Sequence, residues 1–384
     1  MNIVDSYRRY FDEPSQKVQL YFAPGRVNLI GEHIDYNGGN VFPAALSIGI
    51  TAAVGKRNDD LIVIKSESFE NEVVIDPKEK IEFDQKYGWG NYARGMYKFI
   101  ENPKKSLNIY LKSNLPDGAG LSSSASLEMI IGYIISSERK NNDDFKKRLS
   151  LLGKKVENEF IGVQSGIMDQ FSIVFGKKDH GILLDTHSLN YEYVPVFLKN
   201  YKLVIINTNK KRELSGSSYN ERKYQCEKAF ELINSKKDIN NLCEASIDDL
   251  KYIKDPIIRK RAKHVITEEK RVLESIEVLK KGDLKKFGEL LNQSHKSLKE
   301  DFEVTGIELD TIVNSSQKQE SCIGARMTGA GFGGCAIALV KEDEIENFER
   351  NISKEYFEKI GYKPSFYISN INDGVKKLGG DIDG

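Results

Sequence analysis

The sequence predicts an α+β protein of two unlike domains, and three observations carry that expectation. The chain has 384 residues, about two domains at roughly 150 residues each, or three small ones. Residues 18–205 mix strand-like runs with turns and helices. From about 218 to 305 helical spacing dominates, and strands return near the end.

Each element has a local reason. Lys17–Phe22 and Leu61–Lys65 are strand-like runs. Leu107, Ile109 and Leu111 alternate with polar residues, so Ser106–Lys112 is expected as a half-buried strand. Ala125–Glu138 is too long for a strand and predicts a mostly buried helix. Gly176–Asp185 predicts a turn followed by the short strand Gly181–Leu184, and Tyr201–Ile206 is a further apolar strand. Val272, Ile276 and Leu279 recur at helical spacing; Gly282 stops that helix and Asp283 can cap the next, which Leu284, Phe287 and Leu291 continue. Ala336–Val340 and Tyr367–Ser369 are the closing strands. The alternating Lys and Glu of the second half predict solvated helix faces. No internal repeat or low-complexity linker is visible.

The 57 Lys and Arg balance 57 Asp and Glu, with 30% charged and 39% hydrophobic residues. That is a soluble globular composition. It argues against a nucleic-acid partner, which favours a basic excess on some face. A local cluster could still hold a polyanionic ligand. The longest nearly apolar run, Val41 to Gly55, is interrupted by Pro43 and Gly49 and is too short to span about 30 Å of hydrocarbon. No membrane association and no signal peptide are expected. Cys226, Cys243, Cys322 and Cys335 form no metal-ligand spacing, which suits reduced thiols in a cytoplasmic protein.

Four segments break the patterns. Phe22 to Gly39 packs Arg26, Glu32, His33 and Asp35 beside Val27, Leu29 and Ile30. Turn chemistry explains its glycines, and His33 alone could be a core histidine. Four polar groups among apolar residues must be paired or serve a ligand, which favours a binding site. Leu115 to Glu128 contains Gly118, Gly120, Ser122, Ser123 and Ser124 between a strand and a helix. A plain serine cap needs one serine, so phosphate binding at a helix N-terminus is favoured. Ala325 to Cys335 holds a literal G-x-G-x-x-G at Gly329, Gly331 and Gly334, but a strand follows where a dinucleotide site needs a helix. A glycine loop that closes over phosphates or packs against a neighbouring loop fits better. In Val156 to Phe171, Asp169 is either a helix cap or a buried carboxylate used as a base. Glu157 and Glu159 cannot both face the same way on a helix, so one can reach a metal while the other is solvated. No Walker A loop and no protein-kinase signature occurs.

The first three segments resemble the three motifs of the GHMP kinases, and Gly25 to Gly39 resembles the galactokinase signature within them. Ile34 departs from that signature, where the family usually has Thr. The resemblance continues through Gly166–Phe171, Asn207–Leu214, Ser218–Arg222, Ser294–Leu298 and Met327–Cys335, nearly the whole chain. It implies a two-domain GHMP kinase fold. An N-terminal domain (1–195) would be similar to domain 2 of ribosomal protein S5, and a C-terminal domain (196–384) would be ferredoxin-like, with the site in the cleft between them. It implies transfer from ATP to α-D-galactose, giving galactose 1-phosphate and ADP. Asp169 would be the catalytic aspartate and Arg26 its neighbour. Glu32, His33, Asp35, Gly166 and Tyr219 would bind the sugar. Gly118, Gly120 and the serines would hold the phosphates, Ser124 and Glu157 the Mg²⁺, and Trp89 would lie near the adenine unless it is a packing residue. The partners would be the two small molecules, with a monomer expected and a dimer as the alternative. Two other activities share the resemblance: a kinase preferring N-acetylgalactosamine or another sugar, and a non-catalytic galactose and ATP sensor. The sensor kind lacks part of the serine motif, which is intact here.

Overall fold

The computed structural model describes residues 2–116, 120–138, 142–163, 165–210 and 216–379. The chain opens with α1 (Ile3–Phe11), β1 (Gln19–Ile30), β2 (Asn40–Lys56), β3 (Ile62–Ser66) and β4 (Val73–Ile75). There follow α2 (Gly90–Phe99), β5 (Leu107–Ser113), α3 (Ser123–Ile135), α4 (Asp143–Lys155), α5 (Met168–Phe175), β6 (His180–Asp185) and β7 (Tyr191–Pro195). The second half runs β8 (Tyr201–Asn207), α6 (Gly216–Asn234), α7 (Pro256–Lys280), α8 (Leu284–Ser297) and α9 (Gly306–Gln317). It ends β9 (Cys322–Thr328), β10 (Cys335–Lys341), α10 (Ile345–Ile360), β11 (Ser365–Ser369) and β12 (Lys376–Lys377).

Two sheets organise these elements. The first, in the order β12-β1-β2-β5-β3-β4 with β6 and β7 attached through β2, takes strands from the first half and the returning end of the chain. β3 and β5 are its parallel pair, while β1, β2 and β5 pair antiparallel. The second sheet is β11-β8-β10-β9, antiparallel throughout. Numbered within itself it reads 4-1-3-2 and is built as strand, helices, strand, strand, helix, strand. That is the ferredoxin-like arrangement, with α6, α7 and α8 added to its first crossover.

The core explains the helix over the serine segment. Every residue of α3 from Ala125 to Ile135 except Tyr133 is buried, so the helix is apolar nearly all round and packs inside the first layer. The cap of α8 follows the expected chemistry, with Asp283 accepting from the backbone N–H of Lys286 at 2.9 Å. The expectation of solvated Lys and Glu faces is only partly met. On α7, Arg261 and Glu268 are almost wholly buried, because α7 packs against β1 and the connection to β2 rather than lying on the surface. The segment after α4 continues as a π-helical turn, Val156–Ile161. Among the described residues no helix is long and apolar enough to cross a membrane.

Candidate active site

β1 does not stop before the polar segment. It runs on to Ile30, and its pairing with β2 shifts register twice: β2 carries the extra residues between the Pro24 and Arg26 pairs, and β1 the extra residue between the Asn28 and Ile30 pairs. Arg26 is the first β1 residue paired beyond the β2 insertion. Gly25 permits the approach: a Cβ there would lie 2.5 Å from Leu115 Cδ2 and 3.0 Å from the Leu121 carbonyl. The Arg26 backbone N–H donates to that carbonyl at 3.2 Å, so β1 and the serine loop are locked together.

Arg26 reaches the first turn of α5. Its Nε donates to Asp169 Oδ1 at 2.6 Å, its Nη2 to Asp169 Oδ2 at 2.7 Å, and its Nη1 to the Gly120 carbonyl at 2.8 Å. This fork is the strong geometry for an Arg–carboxylate pair. Ser122 Oγ also donates to Asp169 Oδ2. Asp169 is therefore no helix cap; Ile167 holds that position. Burial opposes the charge of Arg26, yet the Asp169 carboxylate, with Glu32 and Asp35 beyond it, holds its pKa above the ordinary value.

The serine loop ends in Ser122, which sits in the left-handed region at φ 60° and caps α3 without a side-chain bond. Ser123 is exposed and Ser124 half-buried at the helix N-terminus. The first backbone N–H groups of a helix have no partner within it, so an anion suits this end. Gly120 contributes its carbonyl to Arg26; Gly118 lies outside the described residues, as does the stretch 211–214.

Glu157 and Glu159 separate as expected: Glu157 is buried and Glu159 is exposed. Ser124 Oγ lies 3.5 Å from Glu157 Oε1, and Ser165 Oγ donates to Oε2. Burial, followed by the negative charge of Asp169, raises the Glu157 carboxyl. Glu128 is deeper and is pushed well up by burial and by Glu157. Among the described residues no group of three or more His, Cys, Asp or Glu is arranged to hold a metal ion. One carboxylate and one hydroxyl, in a pocket rich in negative charge, nonetheless fit Mg²⁺, which keeps several waters and binds through one or two carboxylates plus substrate phosphates.

Glu32, His33 and Asp35 meet the second half of the chain. Glu32 is buried and accepts from Gly329 N at 2.7 Å and Thr328 Oγ1 at 3.0 Å. His33 is held at φ 63°, an uncommon region for a residue with a side chain. Its Nδ1 pairs with the Tyr36 hydroxyl at 2.9 Å and its Nε2 with the Ala330 carbonyl at 3.2 Å. Only Nε2–H can donate to that carbonyl, so Nδ1 accepts, and both ring nitrogens are used within the protein. Burial lowers the His33 pKa to about 3, which keeps it neutral. Asp35 is raised to about 6 by burial and by the charges of Asp169 and Glu32. A Cβ on Gly166 would come within 2.6 Å of Asp35 Oδ2, which accounts for glycine there. Tyr219, half-buried on α6, has its ring 5.7 Å from His33 and 5.6 Å from Tyr36. Its hydroxyl is pushed far up by burial and by the charges of Asp35, Asp169 and Glu32.

Trp89 stands apart from this cluster, half-buried at the start of α2 and stacked on exposed Phe69 at 5.3 Å. Its indole Nε1 is buried without a hydrogen-bond partner among the described residues. The literal G-x-G-x-x-G behaves as the strand context required. Gly329 and Gly331 take positive φ, and the loop packs on the Val304 carbonyl and on Glu32.

Sequence reasoning missed the support that α7 gives to the polar segment. His264 Nε2 pairs with the Glu32 carbonyl at 3.1 Å, and Glu268 Oε1 accepts from Gly31 N at 3.1 Å. Glu269 accepts from Asn40 N at 2.8 Å. Their one sequence signal was a histidine and two acids interleaved with Val265, Ile266 and Val272.

The comparisons with known proteins agree with this geometry. Residues 5–56 match the galactokinase galactose-binding signature, 91–177 the GHMP kinases N terminal domain and 275–359 the GHMP kinases C terminal model. A galactokinase of Ligilactobacillus salivarius is 48% identical over 98% of this chain and 99% of its own length. One from Clostridium tetani is 49% identical over 93% of each chain. The crystal structure of Lactococcus lactis galactokinase complexed with galactose superposes with a TM-score of 0.90 at 42% identity, covering 98% of this chain and 100% of that one. A mevalonate kinase at 21% identity and TM-score 0.66 covers 93% of this chain and 99% of its own, and shares the fold. The two-domain fold is thus that of the GHMP kinases, and the chain belongs to their galactokinase family as an ATP-dependent sugar kinase.

Proposed function

We propose that galactose is phosphorylated at its C1 hydroxyl between Asp169, Arg26 and the N-terminus of α3. The Arg26–Asp169 fork beside that helix end carries the reading. Asp169 accepts the hydroxyl proton, the sugar oxygen bonds to the γ-phosphorus, and the bond from that phosphorus to the ADP oxygen breaks. Arg26 orients Asp169 and offsets the negative charge that builds on the moving phosphoryl group.

Glu32 and Asp35 accept hydrogen bonds from sugar hydroxyls, which suits two carboxylates in a buried pocket. Gly166 leaves room for Asp35, while Tyr219 and His33 form the pocket wall. Gly118, Gly120 and the serines Ser122, Ser123 and Ser124 are assigned to the ATP phosphates. Trp89 and Phe69 offer an aromatic face for the adenine. Ser124 and Glu157 would hold a Mg²⁺ ion, which when bound neutralises charge on the phosphates. We further assign two domains, 1–195 and 196–384, the last strand β12 of the second returning to the first sheet, to a cytoplasmic monomer, with a dimer as the alternative.

The test is an ATP-coupled assay with galactose, N-acetylgalactosamine, glucose, arabinose and mevalonate, with phosphorus–carbon coupling used to locate the new phosphate. Turnover on galactose at C1 is expected. Phosphorylation at another carbon, or of a competing substrate only, would refute the assignment.

A further inference from the structure

We propose that Thr328 and Arg326, at the end of β9, are positioning residues for the carboxylate of Glu32 and select which of its oxygens meets the sugar. The inference rests on the reading of Glu32 as a sugar ligand and adds to it how that ligand is held.

β9 is the edge strand of the second sheet, and it lies against β1 of the first. Residues two apart on a strand share a face, so Arg326 and Thr328 both turn toward β1. Arg326 is completely buried. Its Nη1 donates to the carbonyls of Asn28 and Leu29 at 2.9 and 3.0 Å, and its Nη2 lies 3.3 Å from Glu32 Oε1. Thr328 Oγ1 has one proton and two acceptors in range, the same Oε1 at 3.0 Å and the Asn28 carbonyl at 3.2 Å, of which the nearer, charged carboxylate is the stronger; Gly329 N donates to Oε1 at 2.7 Å. Gly329 sits at φ +87°, a turn that glycine adopts without strain.

The two oxygens of Glu32 are therefore unequal. Oε1 receives two hydrogen bonds and a guanidinium charge, all from the second half of the chain. Among the described residues Oε2 receives one protein donor, Asn28 Nδ2 at 3.2 Å. A carboxylate oxygen accepts about two hydrogen bonds. Oε1 is saturated, and Oε2 keeps the capacity that a sugar hydroxyl can fill. The glycine segment after β9 thus acts on the sugar: it fixes the carboxylate through Oε1 so that Oε2 faces the substrate. The sugar pocket is complete only when β9 is seated on β1.

The experiment is steady-state kinetics of the full chain with galactose and ATP varied separately, alongside calorimetric titration with galactose. The variants are Thr328→Val, Thr328→Ser and Glu32→Gln. Thr328→Val should raise the galactose KM and Kd about tenfold, the effect of one hydrogen bond to a charged group. Its kcat and ATP KM should stay within about twofold of wild type, the signature of lost ground-state binding. Thr328→Ser, which restores the hydroxyl, should recover the wild-type galactose KM. Glu32→Gln should raise the galactose KM at least as far. A wild-type galactose KM in Thr328→Val together with a raised one in Glu32→Gln overturns the positioning role and leaves the sugar role of Glu32 standing. A wild-type value in Glu32→Gln overturns both. Should Thr328→Val fail to fold by thermal melting, Arg326→Lys carries the same test. It keeps the charge but cannot span both carbonyls and Glu32, so the galactose KM should again rise with kcat preserved; an unchanged KM with a lowered kcat overturns the role.

Discussion

Arg26 grips both carboxylate oxygens of Asp169, at 2.6 and 2.7 Å, across 143 residues of sequence. The arginine stands where the β1–β2 pairing shifts register, and the first turn of α5 presents the acid. The fork needs a planar guanidinium, which an ammonium cannot imitate. Arg26→Lys should therefore keep the charge and lose the alignment. We predict that its kcat falls by about 10²-fold or more, with galactose binding by calorimetry near wild type. A kcat within a few-fold of wild type would make the fork incidental.

Gly166 stands where a Cβ would meet Asp35 Oδ2 at 2.6 Å. Gly166→Ala must push the Asp35 carboxylate out of place. The galactose KM should rise by roughly tenfold, the effect of one misplaced charged hydrogen bond. The melting temperature should hardly move, because the clash is with one half-buried side chain. Kinetics and a thermal melt on one preparation check both statements.

Asp35 gives the site a pH dependence of defined sign. Its carboxyl titrates at about 6 instead of 3.8, through burial and the charges of Asp169 and Glu32. Ionised, it accepts hydrogen bonds from hydroxyls through both oxygens; protonated, one of those oxygens becomes a donor. The kcat/KM for galactose should fall as pH drops through about 6. Burial lowers His33 to about 3 and His264 to about 4, so neither imidazole accounts for such a limb. Asp35→Asn should remove or displace the limb, at lower overall activity. Stability should run the other way. A carboxyl raised in the folded state contributes stability that is fully present below 3.8 and lost as pH rises through about 6. Acid should thus weaken galactose use before it weakens the fold.

Ser124 faces buried Glu157 at 3.5 Å. On the proposed assignment of Ser124 and Glu157 to Mg²⁺, removing the hydroxyl takes away one of the two assigned oxygen ligands. Ser124→Ala should raise the Mg²⁺ concentration needed for half-maximal rate by roughly tenfold, the loss of one oxygen ligand. An unchanged metal titration would remove Ser124 from the ligand set.

Much of the fold was legible because its signals are local. The alternation of Leu107, Ile109 and Leu111, the continuous apolar run of α3 and the Gly282–Asp283 stop and cap all act over a few residues. The bulged continuation of β1 through Arg26 to Ile30 was not legible, since glycines and charges there carry turn signals that sheet pairing with β2 overrides. The site was legible where polar groups crowd a short segment, as in Glu32, His33 and Asp35. It was not legible where the partner lies far along the chain. Arg326 at 3.3 Å from Glu32, and His264 and Glu268 on α7, look like ordinary strand and helix residues until the two halves pack. His33 shows the intermediate case. Its position was readable, while the use of both ring nitrogens by Tyr36 and Ala330 depends on tertiary contacts.

The most direct test of the account is Asp169→Asn, which keeps the shape of the residue and removes its capacity to take a proton. Rapid-quench measurement of one turnover of ATP and galactose, paired with calorimetric galactose binding, separates chemistry from affinity. The account predicts a phosphoryl-transfer rate lower by about 10²- to 10⁴-fold with galactose affinity largely retained. Near-wild-type transfer in that variant would contradict Asp169 as the proton acceptor.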